Sequence, residues 1–288
     1  MIPAAFDYES PATIEEAIEL LASLGDRAKI MAGGHSLIPI MKLRLAQPEV
    51  LIDLGRIGNL RYIRLEDEQI VIGAMATHAD VATSELIRRQ SQILSDTAKQ
   101  IGDQQVRNRG TIGGALAHAD PAADYPATIL AVEAQIIAQG PSGSRVIKAF
   151  DFFTGLLTTA LAPDELLVEV RVPIQKDAAG GVYLKFENKA SHYAVVGVAA
   201  YVHMLAGTFS SVGIGITGAG SQPIRAASVE SALLGKRPTP DVIEAASAFA
   251  AEGLDLLSDI HGSVEYRAHI TRVYTRRAIE AAVARAIG

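Results

Sequence analysis

The sequence predicts an α+β protein in three pieces, and three observations carry that reading. Helical and strand-like periodicities follow one another without regular β-α alternation. Two stretches of alternating residues are folded back on short turns and read as hairpins. The polar stretch Gln175–Gly181, ending in Gly-Gly, then separates the front of the chain from a run of strands followed by helices. At 288 residues the chain is too long for most single cores and suits two or three packed units. We place these at 1–56, 57–176 and 177–288. No internal repeat or low-complexity tract interrupts them.

In the first piece, Ile14, Ala17, Ile18, Leu21 and Leu24 share one helical face. Thr13 and Glu16 suit a capping box and Gly25 a C-cap. The short strand "AKIMA" enters a loop, Gly33-Gly34-His35-Ser36, and Val50–Leu54 is a second, buried strand. The second piece begins near Arg56. "RYIRLEDEQIVIGAM" is a hairpin turned at Glu66–Glu68, followed by helical stretches over Ala79–Arg89 and Ile93–Ile101. "AQIIAQGPSGSRVIKAF" is a second hairpin turned at Pro141–Gly143, and "ELLVEVRVP" is a strand closed by Pro173. The third piece holds three strand-like runs ending in "SSVGIGITG". Helices follow over Val242–Glu252 and from Val264 onward, the last with Ile270, Val273, Tyr274, Ile279 and Val283 as its apolar residues.

Composition excludes several functions. Apolar residues make up 49% of the chain, which suits a buried core, and the net charge of −6 argues against a nucleic-acid binder. There is no cysteine, so this chain forms no disulfide, thiolate metal site or cysteine nucleophile, and ligates no ordinary iron–sulfur cluster. "MIPAAFDYES" has neither a basic nor a long apolar segment, and the longest apolar window, Ala194–Ala206, is broken by His203 and falls short of the roughly 18 residues a membrane span needs. We expect a cytoplasmic protein with no membrane span. The seven histidines show no metal-ligand spacing.

Two glycine-rich loops carry the chemistry. Gly33-Gly34-His35-Ser36 offers consecutive backbone N–H groups with little side-chain obstruction, the arrangement of an anion-binding nest, and Ser36 adds a hydroxyl. A plain structural turn is the alternative. His35 beside Ser36 is no catalytic triad, and no G-x-S-x-G elbow occurs. "RNRGTIGGALAHADPAADYPA" repeats the recipe at Thr111, Gly113 and Gly114, with Asp120 and Asp124 following. Amides for phosphate and a carboxylate for ribose hydroxyls or a base edge suit a dinucleotide; a solvated loop is the alternative. Together the loops favour a pyrophosphate clamped between two units. Gly213, Gly215 and Gly218 match G-x-G-x-x-G, but Val212, Ile214 and Ile216 alternate as strand residues through the motif, so we read a buried strand and no Rossmann site. Lys185 and Lys189 lie on a strand leading to Tyr193. A cation there would stabilise negative charge on a flavin and a tyrosine would stack on its ring; solvated lysines on a half-buried strand are the alternative.

"AGGHSLIPIMKLRLA", "VRNRGTIGGALAHADPAAD" and "ELLVEVRVP", in this order, closely resemble the FAD-binding medium subunit of carbon monoxide dehydrogenase and the flavoprotein subunits of the wider xanthine dehydrogenase group of molybdenum hydroxylases. The likeness covers essentially the whole chain. It implies two α+β subdomains clamping FAD, of the vanillyl-alcohol oxidase type, plus a C-terminal domain with a small sheet and helices. It implies that Ala32, Gly33, Gly34, His35 and Ser36, with Thr111, Ile112, Gly113 and Gly114, hold the pyrophosphate region. Lys29, Asp120, Asp124 and Lys185 join the implied cofactor set, with Ile101 and Leu167 as apolar flavin neighbours and Tyr193 beside the isoalloxazine. No catalytic residue and no metal is expected on this chain. The resemblance further implies a large molybdopterin subunit, a small subunit with two [2Fe–2S] clusters feeding this FAD, an external electron acceptor, and a dimer of heterotrimers. Ser191-His192 replaces the Gly-Asp common in the carbon monoxide dehydrogenase branch, and Ala115 an Asn common in the xanthine branch. The substrate of the whole complex therefore stays open among carbon monoxide, an aldehyde, a purine and another N-heterocycle. A self-contained flavin oxidase and a non-enzymatic nucleotide-binding subunit are the alternatives.

Overall fold

The computed structural model describes all 288 residues. The front of the chain forms β1 (Asp7–Glu9), α1 (Ile14–Leu24), β2 (Ala28–Met31), α2 (Leu37–Lys42) and β3 (Val50–Asp53). Its strands make a parallel sheet in the order β1-β3-β2. Thr13 caps α1 by accepting the Glu16 N–H, but the Glu16 carboxylate accepts from the Ala12 N–H, so the expected box is displaced by one residue. Gly25, at φ 54°, ends the helix. Ala17, Ile18 and Leu21 pack with Ile52, Leu54 and also Leu166 and Val168 of the following sheet, so this small unit shares its core.

The next part contains β4 (Ile63–Glu66) and β5 (Gln69–Gly73), joined through Asp67 and Glu68 at φ 46° and 60°. Two positive φ values in a two-residue loop match the twist of the flanking strands. Six helices follow: α3 (His78–Thr83), α4 (Glu85–Gln90), α5 (Gln92–Lys99), α6 (Gln104–Arg107), α7 (Ile112–His118) and α8 (Tyr125–Ala131). The single helix expected over Ala79–Arg89 is two, because the Ser84 hydroxyl accepts the Ile87 N–H and starts a new helix there. Then come β6 (Gln135–Gly140), β7 (Gly143–Lys148), α9 (Ala149–Phe152), the short pair β8 (Phe153–Gly155) and β9 (Thr158–Thr159), and β10 (Leu166–Pro173). The main sheet is antiparallel in the order β4-β5-β10-β6-β7.

The last part is an antiparallel sheet of β11 (Ala179–Glu187), β12 (Ala194–Leu205), β13 (Thr208–Thr217) and β14 (Ile224–Arg225), with α10 (Ala227–Leu233), α11 (Pro240–Ser247) and α12 (Val264–Ile287). The linker is shorter than expected. Ala179, Gly180 and Gly181 already belong to β11, and a Cβ on Gly180 would fall 2.0 Å from the Ala282 carbonyl oxygen. Gly180 lets α12 approach the sheet. The buried face of α12 also differs: Arg267, Thr271, Thr275, Ala278, Ile279, Ala282 and Val283 face inward, while Ile270, Val273 and Tyr274 lie half-buried at its flank. Small residues here permit the close packing that a broad apolar stripe would prevent. No helix is long and apolar enough to cross a membrane.

The G-x-G-x-x-G stretch lies within and just beyond β13, as its alternation requires. A Cβ on Gly213 would fall 2.0 Å from the Ala131 oxygen, and one on Gly215 would fall 1.9 Å from the Ala127 oxygen, so β13 rests directly on the backbone of α8. Gly215→Val should therefore cost about 3 kcal/mol by forcing strand and helix apart. Urea unfolding measures this, and an unchanged midpoint would contradict the packing.

Candidate functional site

The β2 strand runs into the loop Ala32–Ser36 and then α2. The N–H groups of Gly33, Gly34, His35 and Ser36 donate to no backbone group of the chain; the first amide to bond back is that of Ile38, to the Gly34 oxygen at 3.0 Å. The Ser36 hydroxyl is not spent on capping α2. A curved row of unused donors is an anion nest. Gly34 sits at φ 75°, a left-handed position that favours glycine. Gly33 is a glycine for another reason. A Cβ there would fall 2.2 Å from the Arg109 oxygen and 2.7 Å from the Gly110 Cα, so the two loops touch backbone to backbone.

The second loop does not repeat the first. The Thr111 hydroxyl accepts the Gly114 N–H at 3.1 Å and caps α7. The Ile112 and Gly113 amides donate to the Ala76 and Ala74 oxygens at 3.0 and 2.9 Å. These donors are used inside the fold, so the loop supports the cradle rather than supplying a second set of amides. Asp120 accepts the Ala122 N–H at 2.8 Å. The C-terminal sheet fastens this segment: the Thr217 hydroxyl lies 2.8 Å from both the Pro121 and Ala123 oxygens, and the Gly218 N–H donates to the Pro121 oxygen.

Asp124 is buried and receives the Tyr183 hydroxyl at 2.5 Å and the Lys185 ammonium at 3.1 Å. Lys185 also donates to the Gln100 and His192 oxygens at 2.6 and 2.7 Å, and its side chain is 2% exposed. Burial raises the Asp124 carboxyl from the ordinary 3.8 to about 6, against the opposing pull of Lys185 and Tyr183. Lys189 lies beyond β11, exposed and paired with Glu187. Tyr193 closes the loop after β11, where the Asn188 N–H donates to the Tyr193 oxygen at 2.9 Å. Its phenol is shifted upward by burial first, with the charges of Asp120 and Asp124 adding and the Ser36 hydroxyl opposing.

These segments enclose a cavity of about 680 Å³, within the size range of ligand pockets. Lys29, Ala32, Gly33, Gly34, His35, Ser36, Ile101, Thr111, Gly114, Asp120, Asp124 and Tyr193 border it. Four expected residues stand behind its wall. Ile112 and Leu167 are turned into the main core. Gly113 faces Ala74, where a Cβ would fall 2.6 Å from the Ala74 Cβ. Lys185 spends its three donors on protein oxygens. Sequence reasoning missed His78, Tyr125, Leu161 and Pro163 among the lining residues. The last two lie in a loop without a motif, while His78 and Tyr125 are the first residues of α3 and α8. Both are buried, with no partner for His78 Nδ1 or the Tyr125 hydroxyl. The unused amides and the volume fit a large, phosphate-bearing polar ligand.

The raised Asp124 carboxyl has a pH signature. It binds its proton more tightly in the folded than in the unfolded chain, so its contribution to stability falls as pH rises from 3.8 through about 6. The unfolding free energy of Asp124→Asn, relative to wild type, should rise over that window. A flat difference would place the Asp124 carboxyl at its ordinary value.

Comparison with known proteins agrees with this geometry. The family described as the FAD binding domain in molybdopterin dehydrogenase matches residues 4–175, and the CO dehydrogenase flavoprotein C-terminal domain matches residues 181–282. The carbon monoxide dehydrogenase medium chain of Hydrogenophaga pseudoflava is 41% identical over 285 residues, covering 99% of both chains. The 6-hydroxypseudooxynicotine dehydrogenase complex subunit alpha of Paenarthrobacter nicotinovorans is 39% identical, covering 99% of this chain and 97% of the relative. A solved carbon monoxide dehydrogenase from Hydrogenophaga pseudoflava, lacking the Mo-pyranopterin moiety of its molybdenum cofactor, superimposes with a TM-score of 0.97 at 42% identity over 99% of each chain. The chain therefore belongs to the FAD-binding medium-chain family of carbon monoxide dehydrogenase and xanthine dehydrogenase-type oxidoreductases.

Proposed function

We propose that FAD lies along this cavity and that the chain is the electron-transfer subunit of a heterotrimeric molybdenum hydroxylase. The unspent amides of Gly33–Ser36 carry the reading, because they form the one part of the wall built to receive a diphosphate. The Ser36 hydroxyl adds a donor, and Lys29 offers a cation on the β2 side. The flavin ring is assigned to the part of the cavity lined by Ile101, Asp124 and Tyr193. Thr111, Gly114 and Asp120 complete the contacts, while Lys185 acts through Asp124. When bound, FAD supplies a redox centre that exchanges electrons singly or in pairs. The chain's own residues bind and orient it and set its polarity; none needs to act as a general base.

Electrons enter, in this reading, from [2Fe–2S] clusters on a small subunit, since a chain without cysteine cannot hold them, and a large molybdopterin subunit oxidises the substrate. We assign the assembly to a dimer of such heterotrimers. Relatives of 41% and 39% identity carry names that specify different substrates, which supports a substrate pocket on the partner. We assign subdomains to 1–56 and 57–176 and a third to 177–288, each holding one of the three larger sheets.

The test is direct. The purified full-length chain, given excess FAD, should retain one flavin per chain, read by its absorbance near ~450 nm. Gly33→Val should remain folded by circular dichroism and lose the flavin, because its side chain forces the two loops apart. Absence of bound flavin in the wild-type chain would overturn the reading, and full retention in Gly33→Val would displace the cradle.

A further inference from the structure

Arg267 is far from the cavity in sequence, yet its bonds end on segments that carry the cavity wall. It is buried in the first turns of α12. Its Nη1 donates to the Val195 oxygen at 2.7 Å and to the Gly218 oxygen at 2.8 Å. Its Nη2 donates to both Asp259 carboxylate oxygens at 2.8 Å. The planar fork of a guanidinium reaches three separate segments in this way, which a compact ammonium does not. Two of those segments are the start of β12 and the end of β13. Val195 is two residues past Tyr193. Gly218 donates its N–H to the Pro121 oxygen at 2.6 Å, between the lining residues Asp120 and Ala123.

The third segment leads to the same tyrosine. Asp259 also accepts the His261 N–H at 2.8 Å, and backbone bonds between Asp259 and Gly262 close this loop. The exposed His261 ring then accepts from the Asn188 side chain, Nδ2 to Nδ1 at 3.2 Å. The direction is fixed, because Asn188 Oδ1 already accepts the Ala190 N–H at 2.9 Å and leaves Nδ2 as the donor. Asn188 anchors the flap Asn188–Tyr193: its N–H donates to the Tyr193 oxygen at 2.9 Å, and its oxygen accepts the His192 N–H at 2.8 Å. From this flap the Tyr193 side chain borders the cavity and reaches the cradle, where the Ser36 hydroxyl hydrogen-bonds its phenol. Tyr193 is thus tied to Arg267 by two routes, one through Val195 and one through Asp259, His261 and Asn188.

We infer that Arg267 is a positioning residue for the flavin site, setting the place of Tyr193 through Asp259, His261 and Asn188; the inference rests on the FAD reading above. The test uses His261→Ala and Arg267→Lys in the full-length chain. His261 is exposed, so His261→Ala should leave the flavin-free thermal midpoint unchanged. It should nevertheless speed amide hydrogen exchange over Asn188–Tyr193 and nowhere in the main sheet, because the flap loses its tie to the Asp259–Gly262 loop. With FAD bound, both variants should weaken the cofactor about fivefold and raise flavin fluorescence, since a tyrosine displaced from the isoalloxazine quenches it less. Should Arg267→Lys not fold, His261→Ala alone decides. Wild-type exchange across the flap in His261→Ala would overturn the inference. So would unchanged FAD affinity and fluorescence, or a lowered midpoint with exchange accelerated throughout, which marks a purely structural role. A wild-type chain that binds no FAD would remove the underlying reading, and the exchange result, obtained without flavin, separates the two failures.

Discussion

The cavity depends on one enclosed ammonium group. An ammonium has three donors and must find an acceptor for each when it leaves water. Lys185 finds them in the Gln100 oxygen, the His192 oxygen and the Asp124 carboxylate. Each acceptor adjoins or is a lining residue: Gln100 precedes Ile101, His192 precedes Tyr193, and Asp124 borders the cavity itself. A strand of the C-terminal sheet thereby positions three separate parts of the wall. Thr217 and Gly218 do the same for the segment Pro121–Ala123 through backbone oxygens. The third sheet is in this sense part of the binding site, although most of the lining comes from earlier residues.

Glycine is used here chiefly to let backbones touch. Gly33 meets Arg109 and Gly110, Gly113 meets Ala74, Gly180 meets α12, and Gly213 and Gly215 meet α8. Each is a place where one added carbon would collide with main chain. Only the loop Gly33–Ser36 combines that closeness with donors left free. The two glycine-rich loops therefore divide the work. The second spends its amides on Ala74, Ala76 and Thr111 and becomes the rigid surface on which the first is held open.

The charge arrangement is consistent with that division. An acidic chain of net charge −6 would not attract an anionic ligand over long range. Recognition falls instead to fixed backbone dipoles at short range. Burial keeps His78 and Tyr125 neutral, while the buried carboxylate of Asp124 is matched by Lys185.

Sequence alone determined the elements whose signals are local. The caps at Thr13 and Gly25, the turn at Asp67-Glu68 and the strand character of Val212–Ile216 depend on neighbours a few residues away, and periodicity or turn chemistry reports those neighbours. The glycine-rich composition of the two loops was equally plain, as was the family to which they point. Tertiary structure decided what each residue does. Whether an amide is free or already bonded depends on partners such as Ala74 and Ala76, which are distant in sequence, so the two loops looked alike until folded. Lys185 read as a flavin-facing cation because nothing in its own strand reveals that Gln100, Asp124 and His192 converge on it. His78 and Tyr125 were invisible for the same reason: burial without a partner is a property of the surrounding wall, and no single stretch of sequence encodes that wall.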